Sequence, residues 1–145
     1  MLDLNATFEF VNAFVLIGWI LLLFFPKWKW TNRLVIGFVV LVLGVFYASI
    51  VFSALSVEDF SSFSTLDGLM TLFADKKGVL AGWIHYLAFD LLVGMLILHL
   101  SQKAKLNHFL VVPCLLFTFM IGPVGVLLFL TLRSINTKSY FIDLD

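Results

Sequence analysis

Ala81-Gly82-Trp83-Ile84-His85-Tyr86-Leu87-Ala88-Phe89-Asp90 lies inside a long apolar run over residues 79–100. The run is continuously apolar, without the period-two alternation of a half-buried strand, so it reads as a helix. Crossing about 30 Å of hydrocarbon takes about 20 helical residues, and this run is long enough. It carries a carboxylate near its middle. A charged side chain at bilayer depth costs about 2.5–3.5 kcal/mol, so Asp90 needs a partner, a proton or water. Asp90 is therefore the first candidate for a functional residue, and His85 accompanies it.

Composition agrees with that reading. Of 145 residues, 62% are hydrophobic and 12% charged, against about 45–50% and about 25% in soluble domains. One small soluble core cannot hide the excess, so lipid is the expected solvent. Nine Lys and Arg balance nine Asp and Glu, and no basic patch points to nucleic acid. Cys114 stands alone, which excludes an intrachain disulfide and a cysteine metal cluster. No cofactor is implied.

Three further runs, over residues 8–25, 34–55 and 109–132, are also long enough to cross a bilayer. Helices suit lipid because they satisfy their own backbone hydrogen bonds. The expected fold is all-α: a polytopic membrane protein, a four-transmembrane-helix bundle forming one domain over residues 1–145. The first run lacks a basic leader and a small-residue cleavage site, and it carries Asp3 and Glu9 near its start. It is read as a retained span, not a signal peptide. It ends in Pro26-Lys27-Trp28-Lys29-Trp30, an aromatic and basic cluster typical of a headgroup interface.

Between the second and third runs, Ser64-Thr65-Leu66-Asp67 looks like a helix start. Leu66, Leu69, Met70 and Phe73 then line one face of a short interfacial helix, a connector or lid over the bundle mouth. Asp75-Lys76-Lys77-Gly78 is expected to end it. Gly37, Gly44, Ala48 and Ser49 offer small positions for close helix approach in the second span. Pro123 is expected to kink the fourth span and free the Phe119 carbonyl. Four crossings place Lys27, Lys29, Arg33, Lys103 and Lys105 on one side, and Lys76, Lys77, Arg133 and Lys138 on the other with both termini. The excess of positive charge inside then favours both termini outside.

Asp90 and His85 are five residues apart, or about 140° around a helix. They cannot share a face, so facing helices must complete any site. Antiparallel hairpins bring Asn12, Tyr47, Ser49, Ser53, His85 and Asp90 toward the half of the bundle nearest the termini, with Thr118 near mid-depth. The candidate catalytic residues are Asp90 and His85. Asn12, Tyr47, Trp83, Tyr86 and Thr118 are the candidate substrate-binding residues. His99 and His108 lie at the opposite edge and make only a weak metal signal, so no metal site is assigned. A purely structural reading stands beside this one: Asp90 as a staple accepting hydrogen bonds from Tyr47 or Tyr86, although such bonds average only about 0.6 kcal/mol in membranes.

These residues carry a resemblance. Phe73-Ala74-Asp75, Val79-Leu80-Ala81-Gly82-Trp83-Ile84-His85-Tyr86-Leu87-Ala88-Phe89-Asp90-Leu91 with Gly94, His108, Pro113-Cys114, Thr118, Gly122-Pro123-Val124-Gly125 and Arg133 resemble the abscisic-acid-deficient-four-like family. Asn12, Pro26 and Trp28 are similar to that family's first span. After Gly94 the chain departs, reading Met95-Leu96-Ile97-Leu98-His99-Leu100 where the family carries charge and Trp.

The resemblance implies a small membrane protein. Plant members are required for making neoxanthin from violaxanthin, so the implied ligand is a carotenoid or related isoprenoid. The implied chemistry is epoxide opening with loss of a ring-adjacent proton, which needs an acid and a base. A carboxylic acid kept neutral by an apolar site can supply the acid. Asp90 and His85 are the expected pair, with Tyr47 or Tyr86 positioning the oxygen. Two other functions remain open. One is a non-enzymatic lipid or carotenoid holder or scaffold. The other is a proton-coupled path requiring oligomers, which is disfavoured because the chain shows no internal repeat. Membrane lipid is an expected partner, and a homo-oligomer is compatible with the pattern. Compactness and the lack of a plastid transit peptide point to a bacterial inner membrane.

Overall fold

The structure, a computed structural model, describes residues 3–54 and 58–141. Among them it is all-helical. Helix α1 (Leu4–Phe24) starts where the Asp3 side chain accepts the amides of Asn5 and Ala6, and it stops before Pro26. A second apolar helix comprises α2 (Thr31–Leu34), a π-helical stretch (Val35–Val40) and α3 (Leu41–Ala54). After a 3-10 segment (Glu58–Ser64) comes the short α4 (Leu66–Leu72), capped by Thr65 at the expected place. Helix α5 (Lys76–Lys103) is the longest, followed by α6 (His108–Ile121) and α7 (Pro123–Thr137). Among the described residues, three helices are long and apolar enough to cross a membrane: Leu4–Phe24, Thr31–Ser53 and Lys76–Lys103. Residue 55, the last of the expected second run, lies outside the described residues.

Helix α5 is the axis of the bundle and packs against α1, α3 and α6. Asp75 begins it instead of merely ending α4: its carboxylate accepts the Lys77 amide. The α1–α5 seam is close because small residues face large ones. A methyl added at Gly18 would come within 2.6 Å of Leu91 Cδ2, and one at Gly94 within 2.9 Å of the Trp19 ring. Two of the small positions expected to allow close approach in the second helix meet nothing among the described residues. Gly37 and Gly44 have nothing within 4 Å and are exposed. Small size permits approach, but only an opposing side chain makes use of it. In α4, Leu66 and Met70 are exposed, whereas Phe73 packs over Gly82 of α5.

The fourth apolar run is not one helix. His108 Nε2 meets the Leu23 carbonyl at 2.8 Å, and Gln102 donates to the Pro26 carbonyl at 2.6 Å, so α6 begins beside the end of α1. It then runs back along α5 and reaches Gly122 beside Asp90, halfway along α5. There the chain reverses. Residues 118 and 125 of a straight helix are about 10 Å apart along the axis. Here Gly125 lies against the Thr118 amide and hydroxyl and the Cys114 carbonyl. Helix α7 therefore folds back along α6. Pro123 has no amide proton to continue α6, and Gly122 takes φ +48, a region that favours glycine. The expected kink at Pro123 is a hairpin, and the single span expected over residues 109–132 is replaced by two half-length helices.

Two constraints thus meet at Gly122. A methyl there would sit 2.9 Å from Asp90 Oδ1 and would carry the cost of positive φ, about 1–2 kcal/mol. Gly122→Ala is expected to lower the unfolding midpoint in detergent, and Asp90→Ala in the same chain to recover part of the loss, with coupling above about 0.5 kcal/mol. Strictly additive effects would show that the two residues do not touch. Gly44→Ala, into open space, is the control and should leave the midpoint unlowered.

Candidate functional site

Asp90 is held on the central helix at the tip of the α6–α7 hairpin. Its Oδ2 is buried and has no hydrogen-bond partner among the described residues, and its Oδ1 faces the Gly122 backbone. The Tyr86 hydroxyl, one turn earlier on α5, interacts with the carboxyl. The carboxyl also lies at the N-terminal end of α7, where the helix dipole is positive. That position contributes about 0.3–1 kcal/mol, up to about 2 kcal/mol in partly buried geometry. It offsets only part of the cost of placing a carboxylate at bilayer depth, about 2.5–3.5 kcal/mol. A further partner for Oδ2 is called for.

Because α6 stops at Gly122, half of the α1–α5 face is left uncovered by it. A crevice of about 200 Å³ occupies that space, walled by Asn12, Val15, Trp83 and Tyr86 and closed by Phe119 and Met120 at the end of α6. Trp83 Nε1 donates to Asn12 Oδ1 at 3.0 Å, and Asn12 Nδ2 donates to the Phe8 carbonyl at 2.7 Å. Trp83 stacks near Tyr86, with centroids 5.5 Å apart, so the wall is a fixed aromatic surface. Beyond Trp83 lies a second hollow of about 390 Å³ between Phe8, Val79 and Lys76. Trp83 lines both hollows; Asp90 lines neither and sits one turn beyond Tyr86 on α5.

His85 is elsewhere. It stacks on Phe89 at 4.3 Å and neighbours Tyr47 at 5.7 Å. With Tyr47, Val51, Phe73 and Lys77 it lines a separate pocket of about 250 Å³ between α3, α4 and α5. The structure thus brings Asn12, Trp83 and Tyr86 together, with Asp90 one turn beyond Tyr86, and Tyr47 and His85 together, but not the two groups with each other. The helical period had implied this divergence. Thr118 joins neither group. It is fully buried in the α6–α7 seam, donating to the Cys114 carbonyl at 2.8 Å. Ser49 and Ser53 bond to their own helix, at the carbonyls of Phe46 and Ile50.

Three participants were not singled out from the sequence: Phe119 and Met120, which close the crevice, and Gly122, which meets Asp90. The Gly-Pro pair was visible, but its contact with Asp90 depends on the reversal. Among the described residues no three His, Cys, Asp or Glu side chains gather as a metal site.

The Trp83–Asn12 bond fixes the crevice wall. Trp83→Phe and Asn12→Ala should each cost about 0.6 kcal/mol in detergent unfolding, and the double variant about the same as either. A double variant costing the sum would show that the bond is not made.

Searches of curated proteins and of solved structures returned no match. Residues 6–129 match the sequence model of the family described as ABA4-like, ABA DEFICIENT 4-like. That range contains all but the first two residues of α1, the central helix, the hairpin tip and all the candidate residues, and the chain belongs to the ABA4-like family.

Proposed function

We propose that this chain is an integral membrane protein, in bacteria of the inner membrane, that seats the ring end of a carotenoid or related isoprenoid in the crevice and isomerises it at Asp90. The observation that carries the reading is the buried, unpartnered Asp90 Oδ2 one turn beyond the Trp83–Tyr86 crevice. A ring oxygen is the partner that Oδ2 lacks, and aromatic walls suit a rigid polyene. Family membership supports the same ligand class through the neoxanthin chemistry that the resemblance implies.

The step is an isomerisation and needs no oxidant. Asp90, entering as the acid, gives its proton to an epoxide oxygen while the ring C–O bond breaks. The cation left on the ring carbon is delocalised along the polyene. The Asp90 carboxylate then takes the proton from the adjacent carbon and is restored. Tyr86 steadies the carboxylate, and the faces of Trp83 and Phe119 stabilise the cation. His85 faces the pocket between α3, α4 and α5, so the base role passes from His85 to Asp90 itself.

A second reading is favoured by one contact. Asp90 against Gly122 at the start of α7 is also what a structural staple looks like, in a protein that holds a lipid or supports a membrane enzyme. Asp90→Asn separates the two. In a host accumulating an epoxycarotenoid, the wild-type protein purified in mild detergent should show a polyene absorption spectrum. Asp90→Asn should keep that spectrum and lose conversion at least about 100-fold, as for loss of an acid–base group. An unchanged pigment profile would overturn the catalytic reading. Colourless wild-type protein would favour the scaffold.

A further inference from the structure

The reversal at Gly122 also changes which side of the bundle the chain ends on. Helix α1 runs toward the end marked by Leu23 and Pro26, the second apolar helix returns, and α5 runs back to the Gln102 end, where Gln102 meets Pro26. Helix α6 starts at that same end, beside Leu23, and penetrates only to Asp90. Three residues after Gly122 the chain is already level with Thr118, four residues before it, so α7 retreats toward the end from which α6 came. Its remaining turns from Gly125 to Thr137 rise about 18 Å, enough to return to that end.

Charge is then far more asymmetric than four crossings allow. Lys27, Lys29, Arg33, Lys103, Lys105, Arg133 and Lys138 all fall at one end, and only Lys76 and Lys77 at the other: seven of the nine basic residues against two. A four-span chain has five against four. The excess of Lys and Arg in short cytoplasmic segments sets orientation, so the hairpin turns a near-tie into a decisive bias.

We propose that the chain crosses the membrane three times and ends in a re-entrant helical hairpin, with the N-terminus outside and the C-terminus in the cytoplasm. The crevice lined by Asn12, Trp83 and Tyr86, on the far side of the hairpin tip, then lies in the outer leaflet, and its ligand is drawn from that leaflet. This inference rests on the membrane reading above but not on the carotenoid chemistry.

Impermeant maleimide labelling of intact bacterial cells tests it. In a Cys114→Ser background, which removes the sole native cysteine, Asn5→Cys and Ser139→Cys place single thiols at exposed positions near each terminus. Asn5→Cys should label in intact cells, and Ser139→Cys only after permeabilisation. A C-terminal green fluorescent protein fusion should fluoresce and a C-terminal alkaline phosphatase fusion should be inactive. Both thiols labelling from one side would overturn the three-crossing topology. Labelling with the sides exchanged would overturn the orientation and the outer-leaflet placement of the crevice. Release of the protein by alkaline carbonate without detergent would defeat the membrane reading itself, an outcome distinct from either.

Discussion

The contact between the Gly122 backbone and the Asp90 carboxyl governs the rest of the molecule. Asp90 approaches the Gly122 backbone too closely for a Cβ there, and a chain reversal at positive φ favours glycine. Meeting both demands at one point ends α6 at mid-length and turns α7 back. It also aims the positive end of a helix at the carboxyl and leaves half of the α1–α5 face uncovered by α6. The crevice is a consequence of that stop.

From this the functional reading takes its form. Trp83 is bonded to Asn12, and Phe119 and Met120 at the hairpin tip complete the lining, so an aromatic-walled space ends within a turn of Asp90 on α5. The dipole of α7 offsets part of the cost of an ionised Asp90 but not all of it, whereas a proton on Asp90 removes that cost and gives the carboxyl a hydrogen to donate to the proposed ligand oxygen. Tyr47 and His85, across α5, line a different pocket, so the two polar residues of the central stretch serve different spaces.

Much of this was legible in the sequence. Continuous apolar runs located α1, the second helix and α5. Ser64-Thr65-Leu66-Asp67 marked the start of α4, where the Thr65 hydroxyl accepts the Gly68 amide. Helical period alone separated His85 from Asp90, and depth placed Asn12 in the same half of the bundle as residue 85, though its bond to Trp83 was not foreseen. What the sequence left open depends on dihedral angles and partners. A Gly-Pro pair in an apolar run reads as a kink, because proline removes only one hydrogen bond, and nothing local tells a bend from a reversal. Likewise Gly18 and Gly94 gain their role from Leu91 and Trp19 opposite, while Gly37 and Gly44 look equally suitable and face nothing. Thr118, a plausible site residue by depth, is committed to the seam that the reversal creates.

The distance between spin labels at Asn5 and Ile135, both exposed positions, tests the hairpin most directly. With α7 folded back, the two labels lie at opposite ends of the bundle. Their separation is then about the length of α1, roughly 30 Å for its 21 residues, or more. If α6 and α7 instead formed one kinked span, both labels would lie at the same end, separated only across the helices by about 10–20 Å. The long distance is the result the account predicts; the short one contradicts it.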